Sequence, residues 1–212
     1  MFITLEGIEG SGKTTQIRHI LAYLRQQGQD AIATREPGGT AIGSHIRRIL
    51  LDPSNANLTP GTELLLYTAD RVQHVHQLIS PALAKGQYVI CDRYFDATMV
   101  YQGYARGVDK ELISTLYRLM LGDLMPDLTL LLDLSVKTGL RRAWRRISNS
   151  ATAETESRFE NEDLSFHERV RAGYLQLARQ EPNRFCLIDA GQDETSVWQQ
   201  IKAILSARRE SR

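Results

Sequence analysis

Cysteine is scarce in this chain: 212 residues carry two, Cys91 and Cys186. Each sits inside an apolar run, so both read as small buried hydrophobes and not as a disulfide. A charge excess is also missing. The 26 Lys and Arg against 25 Asp and Glu leave a formal net charge of +1. That balance removes any global argument for nucleic acid or a membrane surface, so anion binding must come from local clusters. No stretch approaches the roughly 18 uninterrupted apolar residues of a spanning helix. The opening MFITLEG has neither the basic segment nor the apolar run of a secretory signal. A soluble, cytoplasmic protein is expected, folded as one domain over residues 1–212 and large enough to bury a core without staples. The five histidines, His19, His45, His74, His76 and His167, do not cluster like metal ligands and read as structural. A GxSxG nucleophile signature is absent as well.

What is present is a rhythm. Five short apolar runs stand at 2–6, 31–35, 88–92, 128–134 and 185–190. They are nearly continuous and not alternating, as in strands covered on both faces. Between them lie segments of helical spacing, such as Ile17, Ile20, Leu21 and Leu24, or Leu64, Tyr67, Thr68, Val72, Val75 and Ile79. Strand and helix in alternation predict an α/β fold with a mostly parallel sheet. The polar segment 148–163 breaks the rhythm and is either a mobile functional lid or a disordered insertion. The tail SARRESR reads as a solvated, frayed end.

Gly7, four further residues and Gly12-Lys13-Thr14 match GxxxxGK[ST] in full, with a strand before and a helix after. Backbone N–H groups of Gly7, Ile8, Glu9, Gly10, Ser11, Gly12, Lys13, Thr14 and Thr15 can curl around phosphate, and the helix N-terminus adds favourable partial charge. Lys13 is expected at the β- and γ-phosphates and the Thr14 hydroxyl on Mg²⁺. This predicts a nucleoside triphosphate site, and the loop alone goes no further.

A second set of anion contacts follows. Arg35 ends the second apolar run and Asp92-Arg93 the third, on the sheet edge where ligands sit in open parallel sheets. Asp92 is a candidate metal carboxylate, and Asp133 is a rival with similar local sequence. Arg141 with Arg145, and Arg142 with Arg146, fall four apart on a helix. Each like-charged pair costs about 0.2–0.5 kcal/mol unless neutralised, by a polyphosphate or by acidic neighbours such as Glu154 and Glu156. Leu140, Ala143, Trp144 and Ile147 are expected to face the core beside them. Tyr67 and Arg71, also four apart, could stack on and hydrogen-bond to a flat base, and the Gln102 amide can both donate and accept.

Taken together, GIEGSGKTT, REPGGT, LLLYTADRVQH, CDRYFDATMVYQG and the arginine-rich segment before the polar loop resemble the thymidylate kinase family, over nearly the whole chain and in order. The resemblance implies a P-loop kinase fold, a five-stranded parallel sheet with helices on both faces and a lid at about 145–160. It further implies phosphoryl transfer from ATP, with Mg²⁺, to dTMP in a homodimer that binds small nucleotides, not nucleic acid. By that likeness Lys13 and Thr14 serve the donor phosphate and metal, with Asp92 nearby. Arg35 and Arg93 clamp the acceptor phosphate, Tyr67 stacks on thymine, Arg71 and Gln102 meet the base edge, and Tyr101 crowds a ribose 2′-hydroxyl. Thr98 stands where Ser is more usual. Ser11, in a loop without arginine, favours lid arginines as the catalytic charge, with Arg145, Arg146 and Arg158 as candidates.

Glu9 is the odd residue, a carboxylate inside an anion loop. Two unit charges 4 Å apart at an effective dielectric near 20 repel by about 4 kcal/mol. Glu9 is therefore expected to point away from the triphosphate, toward the acceptor, where the resemblance associates it with the sugar 3′-hydroxyl; otherwise it is an exposed spacer. The competing readings are another nucleoside monophosphate kinase, a deoxynucleoside kinase, or a non-catalytic nucleotide switch.

Overall fold

The computed structural model describes residues 1–122, 124–148 and 156–210, with side chains to Arg208. All five apolar runs form strands: β1 (Phe2–Glu6), β2 (Ala31–Arg35), β3 (Tyr88–Asp92), β4 (Leu128–Asp133) and β5 (Phe185–Asp189). They make one parallel sheet in the order β2-β3-β1-β4-β5. The central strands β1 and β4 are buried almost throughout, whereas the edge strand β2 alternates. Continuous apolarity thus marks the middle of the sheet.

Alternate residues along each strand feed opposite layers. Ile3, Leu5, Ile90, Leu130 and Leu132 pack with Ile17, Ile20 and Leu24 of helix α1 (Lys13–Gln26). Phe2, Val89, Cys91 and Leu131 face the other layer. There lie α3 (Pro60–His74), reached from α2 (Ala41–Leu51), and α4 (Ser80–Ala84), which continues α3 through a π-helical stretch at Val75–Ile79. The same layer holds α5 (Phe95–Thr98), which runs on as a π-helix over Met99–Ala105, and α6 (Lys110–Leu121). Helices α7 (Val136–Ser148), α8 (Leu164–Gln180) and α9 (Glu194–Glu210) complete the described chain. Each fully buried Leu or Ile contributes roughly 1.5–3 kcal/mol relative to exposure. Cys91 and Cys186 are free thiols, the first buried and the second partly so. No helix among the described residues is long and apolar enough to cross a membrane.

Two expectations change. The tail is helical through Glu210, its polar residues extending α9 past the buried Val197, Ile201 and Leu205. Trp144 is 39% exposed, because only Ala143 and Ile147 of that stretch point fully inward while Leu140 packs at the margin.

The register sets the site. Arg35 and Asp92 are Cα partners, as are Leu5 and Asp92, so the ends of β2, β3 and β1 form one ledge. The loop after β1 leans on α7, where a Cβ on Gly139 would lie 2.6 Å from the Glu9 carbonyl oxygen and 2.8 Å from Ile8 Cδ1. Alanine normally stabilises a helix interior by about 1 kcal/mol over glycine. Here the overlap with backbone reverses the sign. Gly139→Ala is expected to destabilise the protein by about 1–3 kcal/mol, as overpacking does; a gain in urea-unfolding stability would contradict this contact.

Candidate active site

The loop between β1 and α1 is shaped by backbone before any side chain contributes. Gly12 caps α1 at φ 96°, in the left-handed region, and supplies no side-chain hydrogen bond to the first turn. The leading N–H groups of α1 are left for an external acceptor, the arrangement that binds phosphate. Lys13 curls back over the loop: its Nζ donates to the carbonyls of Gly7 at 3.0 Å and Ile8 at 3.1 Å, and to Ser11 Oγ at 3.4 Å. Burial, then the charge of Arg93, pulls this ammonium down to about 8, with Asp92, Glu9 and Glu6 opposing.

Thr14 Oγ1 donates to Asp92 Oδ2 at 3.4 Å. The two residues expected to hold a metal thus meet from different elements, beside Lys13, on the wall of a cavity of about 630 Å³. A hydroxyl and a carboxylate are hard oxygen donors, which suits Mg²⁺ completed by phosphate and water. Asp133 is separated from its rival by its partner. Both its oxygens accept from Arg171, at 2.7 and 2.8 Å, and it does not line the cavity.

Beyond the loop the cavity wall carries Arg35, which is exposed and makes no hydrogen bond from its side chain among the described residues, and Arg93, the two residues expected to clamp an acceptor phosphate. Arg93 follows β3 at φ 68°, a left-handed conformation costing a non-glycine residue roughly 1–2 kcal/mol. That conformation accompanies a dense set of contacts: Arg93 Nη2 donates to Glu9 Oε1 at 2.8 Å, Tyr101 Oη at 2.9 Å and the Gly7 carbonyl at 3.3 Å. Glu9 also accepts from the Tyr101 hydroxyl. The carboxylate therefore turns toward β3 and the π-helical stretch after α5, and is not an exposed spacer. Burial would raise its pKa, but Arg93, then His167 and Tyr101, hold it well below the usual carboxylate range. His167, on α8 and fully buried, brings Nδ1 within 3.4 Å of Glu9 Oε2. It had no signal in the sequence beyond being a histidine.

At the far end, four-residue spacing places Glu63, Tyr67 and Arg71 on one face of α3. Tyr67 lines the cavity and tilts toward Phe159, its ring centroid 6.5 Å away. Arg71 is 3% exposed; Nε donates to Glu36 Oε2 at 2.7 Å, and Nη2 to Thr98 Oγ1 at 2.9 Å and the Tyr94 carbonyl at 3.0 Å. Glu36 is braced in turn by His74 Nδ1 at 2.9 Å, whose Nε2 meets Thr34 Oγ1 at 2.6 Å. Neither Glu36 nor His74 was singled out in the sequence, although Glu36 directly follows the strand-ending arginine. Gln102 is buried and donates through Nε2 to Glu63 Oε1 at 2.7 Å.

The arginines divide. Arg142 and Arg146 line the cavity, Arg142 donating to the Ala190 carbonyl at 3.1 Å and Arg146 lying 3.7 Å from Glu160. Arg141 and Arg145 face outward. Arg158, expected at the transferring phosphate, is turned away into a buried pair with Glu63 at 2.6 Å and onto the Leu50 carbonyl. A guanidinium 4% exposed needs a carboxylate, and Glu63 supplies it. Of the expected lid, residues 149–155 lie outside the described part, including Glu154. Ser157 to Phe159 are buried, so this stretch is packed rather than a free polar loop. Arg47, unnoticed in the sequence, reaches the cavity with both Glu156 oxygens as partners, at 2.8 and 3.1 Å.

A glycine-rich loop joining β1 to α1 in a five-stranded parallel sheet defines a P-loop protein of the kinase fold. A family model described as thymidylate kinase matches residues 5–201. A thymidylate kinase from Desulfosudis oleivorans is 58% identical over 190 residues, 90% of this chain and 89% of that one. Another, from Desulforapulum autotrophicum, is 52% identical over 208 residues, 98% of this chain and 92% of the relative. The crystal structure of a thymidylate kinase from Ehrlichia chaffeensis superposes with a TM-score of 0.76 at 34% identity, covering 97% of this chain and 98% of that one. The chain belongs to the thymidylate kinase family.

The Lys13 environment sets a pH dependence. Below about 8 the ammonium is charged and can meet a phosphate; above it the charge is lost. Affinity for ATP is expected to fall about tenfold between pH 7 and pH 9, read by titration calorimetry. A flat profile would mean that Lys13 does not titrate there.

Proposed function

We propose that this chain transfers the γ-phosphoryl group of ATP, with Mg²⁺, to dTMP, giving dTDP and ADP, a step of dTTP synthesis. One observation carries the reading: the Gly7 carbonyl oxygen accepts both from Lys13 at 3.0 Å and from Arg93 at 3.3 Å. A cation of the donor loop and a cation of the acceptor side thus sit on one atom, close enough to share a single phosphoryl group.

The chemistry follows from that closeness. The acceptor phosphate is already an anion, so no general base is required. The chain's work is in-line positioning and charge neutralisation. Lys13 and the α1 N-terminus hold the donor phosphates, Arg35 and Arg93 hold the acceptor phosphate, and Arg146 with Arg142 approaches from α7. Thr14 and Asp92 would hold Mg²⁺, which when bound offsets charge on the donor phosphates. Arg158, packed against Glu63, is a structural anchor in this arrangement. Glu9 accepts a hydrogen bond from the sugar 3′-hydroxyl and repels a 3′-phosphate, while Tyr101 crowds the 2′ position. Tyr67 stacks on the base, with Arg71, Thr98 and Gln102 along its edge. Ile147, Phe159 and Glu160 wall the cavity on this side and would shield the bound phosphates from water, limiting wasteful hydrolysis.

We further propose a homodimer in the cytoplasm. Leu65 is 60% and Leu119 74% exposed, and Ile42, Ile49, Leu112 and Met120 are also exposed on α2 and α6, the helices that flank α3. Such a run of apolar side chains fits a self-complementary interface.

The direct test is ADP release from MgATP across dTMP, dUMP, dCMP, AMP, GMP and thymidine. Preference for dTMP is expected, and preference for AMP or for thymidine would overturn the substrate assignment. Arg93→Ala should lower kcat by about 10²–10³, the usual loss for one charge-stabilising donor, with little change in ATP affinity. Equal kcat in mutant and parent would remove Arg93 from the mechanism.

A further inference from the structure

Resting on the dTMP reading above, we infer that Glu63 is a specificity-determining positioning residue: it locks the Gln102 amide so that its oxygen, not its nitrogen, is presented to the base. Glu63 is fully buried in the first turn of α3. Its Oε2 accepts from Arg158 Nη2 at 2.6 Å, and its Oε1 accepts from Gln102 Nε2 at 2.7 Å and from Arg106 Nε at 3.4 Å. All three contacts come from N–H donors, so both oxygens of this side chain are held as acceptors.

An isolated glutamine amide is indifferent to a half-turn, because its two ends are nearly the same shape. Here the half-turn is forbidden. It would set Gln102 Oε1 against Glu63 Oε1, two acceptors without a proton, in a site closed to water. The amide must give its N–H to Glu63, which leaves its carbonyl as the group available to the cavity that it lines with Tyr67 and Arg71.

Arg71 is fixed in the complementary sense. Its Nε and Nη2 are committed to Glu36, Thr98 and the Tyr94 carbonyl, while Nη1 has no partner among the described residues. The wall therefore offers one donor and one acceptor. Thymine and uracil present an acceptor at O4 and a donor at N3–H, which match. Cytosine presents the inverse, a donor at N4 and an acceptor at N3, and meets like with like at both points. Two buried carboxylates, Glu36 behind Arg71 and Glu63 behind Gln102, thus set the polarity of the base reader without touching the base.

The test compares kcat/KM for dTMP and dCMP in the full-length protein. In Glu63→Gln the new amide can donate or accept, so Gln102 is freed to turn. The dTMP-over-dCMP ratio should fall by about tenfold or more, as when a polar edge is no longer matched, with KM for dTMP rising and KM for ATP unchanged. In a Gln102→Leu background, Glu63→Gln should have no further effect on the ratio, since the group it orients is gone. An unchanged ratio in folded Glu63→Gln, or the same loss with and without Gln102, would overturn the inference. If Glu63→Gln does not fold, the ¹⁵N spectrum of the parent protein decides. The Gln102 side-chain NH₂ signal, assigned by its loss in Gln102→Leu, should be protected from solvent exchange without nucleotide, and rapid exchange would refute the lock. A parent enzyme that does not phosphorylate dTMP would instead refute the substrate assignment.

Discussion

Two positive side chains converge on one backbone oxygen at the seam between the phosphate loop and β3, and the carboxylate of Glu9 keeps them there. Lys13 and Arg93 both donate to the Gly7 carbonyl, and two like charges brought so close repel even at an effective dielectric near 20. Glu9 relieves this by binding Arg93 at 2.8 Å, and the same contact turns its own charge away from the path of a triphosphate. Its location inside the loop then makes sense. The residue that seemed to conflict with anion binding holds the Arg93 guanidinium in place. Without a local counter-charge, Arg93 would have little reason to remain in a left-handed backbone conformation beside another cation.

Buried carboxylates recur beneath the cavity, each with a distinct task. Glu36 and His74 brace Arg71, Glu63 holds Gln102 and Arg158, and Asp70 accepts from the Gly38 N–H at 3.0 Å, fixing the turn after β2. Glu6, fully buried at the end of β1, accepts from the Tyr94 N–H at 2.8 Å and the Tyr174 hydroxyl at 2.7 Å. Burial, then the charge of Asp96, pushes Glu6 up to about 8. Buried charge is a costly route to stability. Here its use is geometric: Glu36 and Glu63 each restrict a donor of a cavity-lining side chain, Arg71 and Gln102, to one orientation.

Much of this was legible in the sequence, for physical reasons. Short apolar runs located the five strands, most clearly β1 and β4, which are covered on both faces at the middle of the sheet. The full phosphate-loop pattern between a strand and a helix pointed to Lys13 and Thr14, while the ends of the apolar runs offered Asp92 and Asp133 alike. The rest depends on partners distant in sequence. Asp92 and Asp133 end strands of similar pattern, and only Arg171 distinguishes them by occupying both oxygens of Asp133. Arg158 sits in a segment whose polarity suggested a free lid, yet Glu63 and the Leu50 carbonyl draw it inward. Trp144 fits the helical spacing of a core residue but falls at the margin of the buried stripe. His167 and His74 carry no pattern of their own, and proximity to Glu9 and Glu36 alone gives them a place in the site.

Glu9 holds Arg93 beside Lys13 on the Gly7 carbonyl, and the proposed phosphoryl transfer depends on that pairing. A double-mutant cycle of Glu9→Ala and Arg93→Ala, read as kcat/KM for dTMP at saturating MgATP, tests it most directly. If the account is right, the double mutant loses far less than the product of the two single losses, because one change already removes much of what the other supports. Fully independent, multiplicative losses would show that the pair does not work as a unit, and would contradict it.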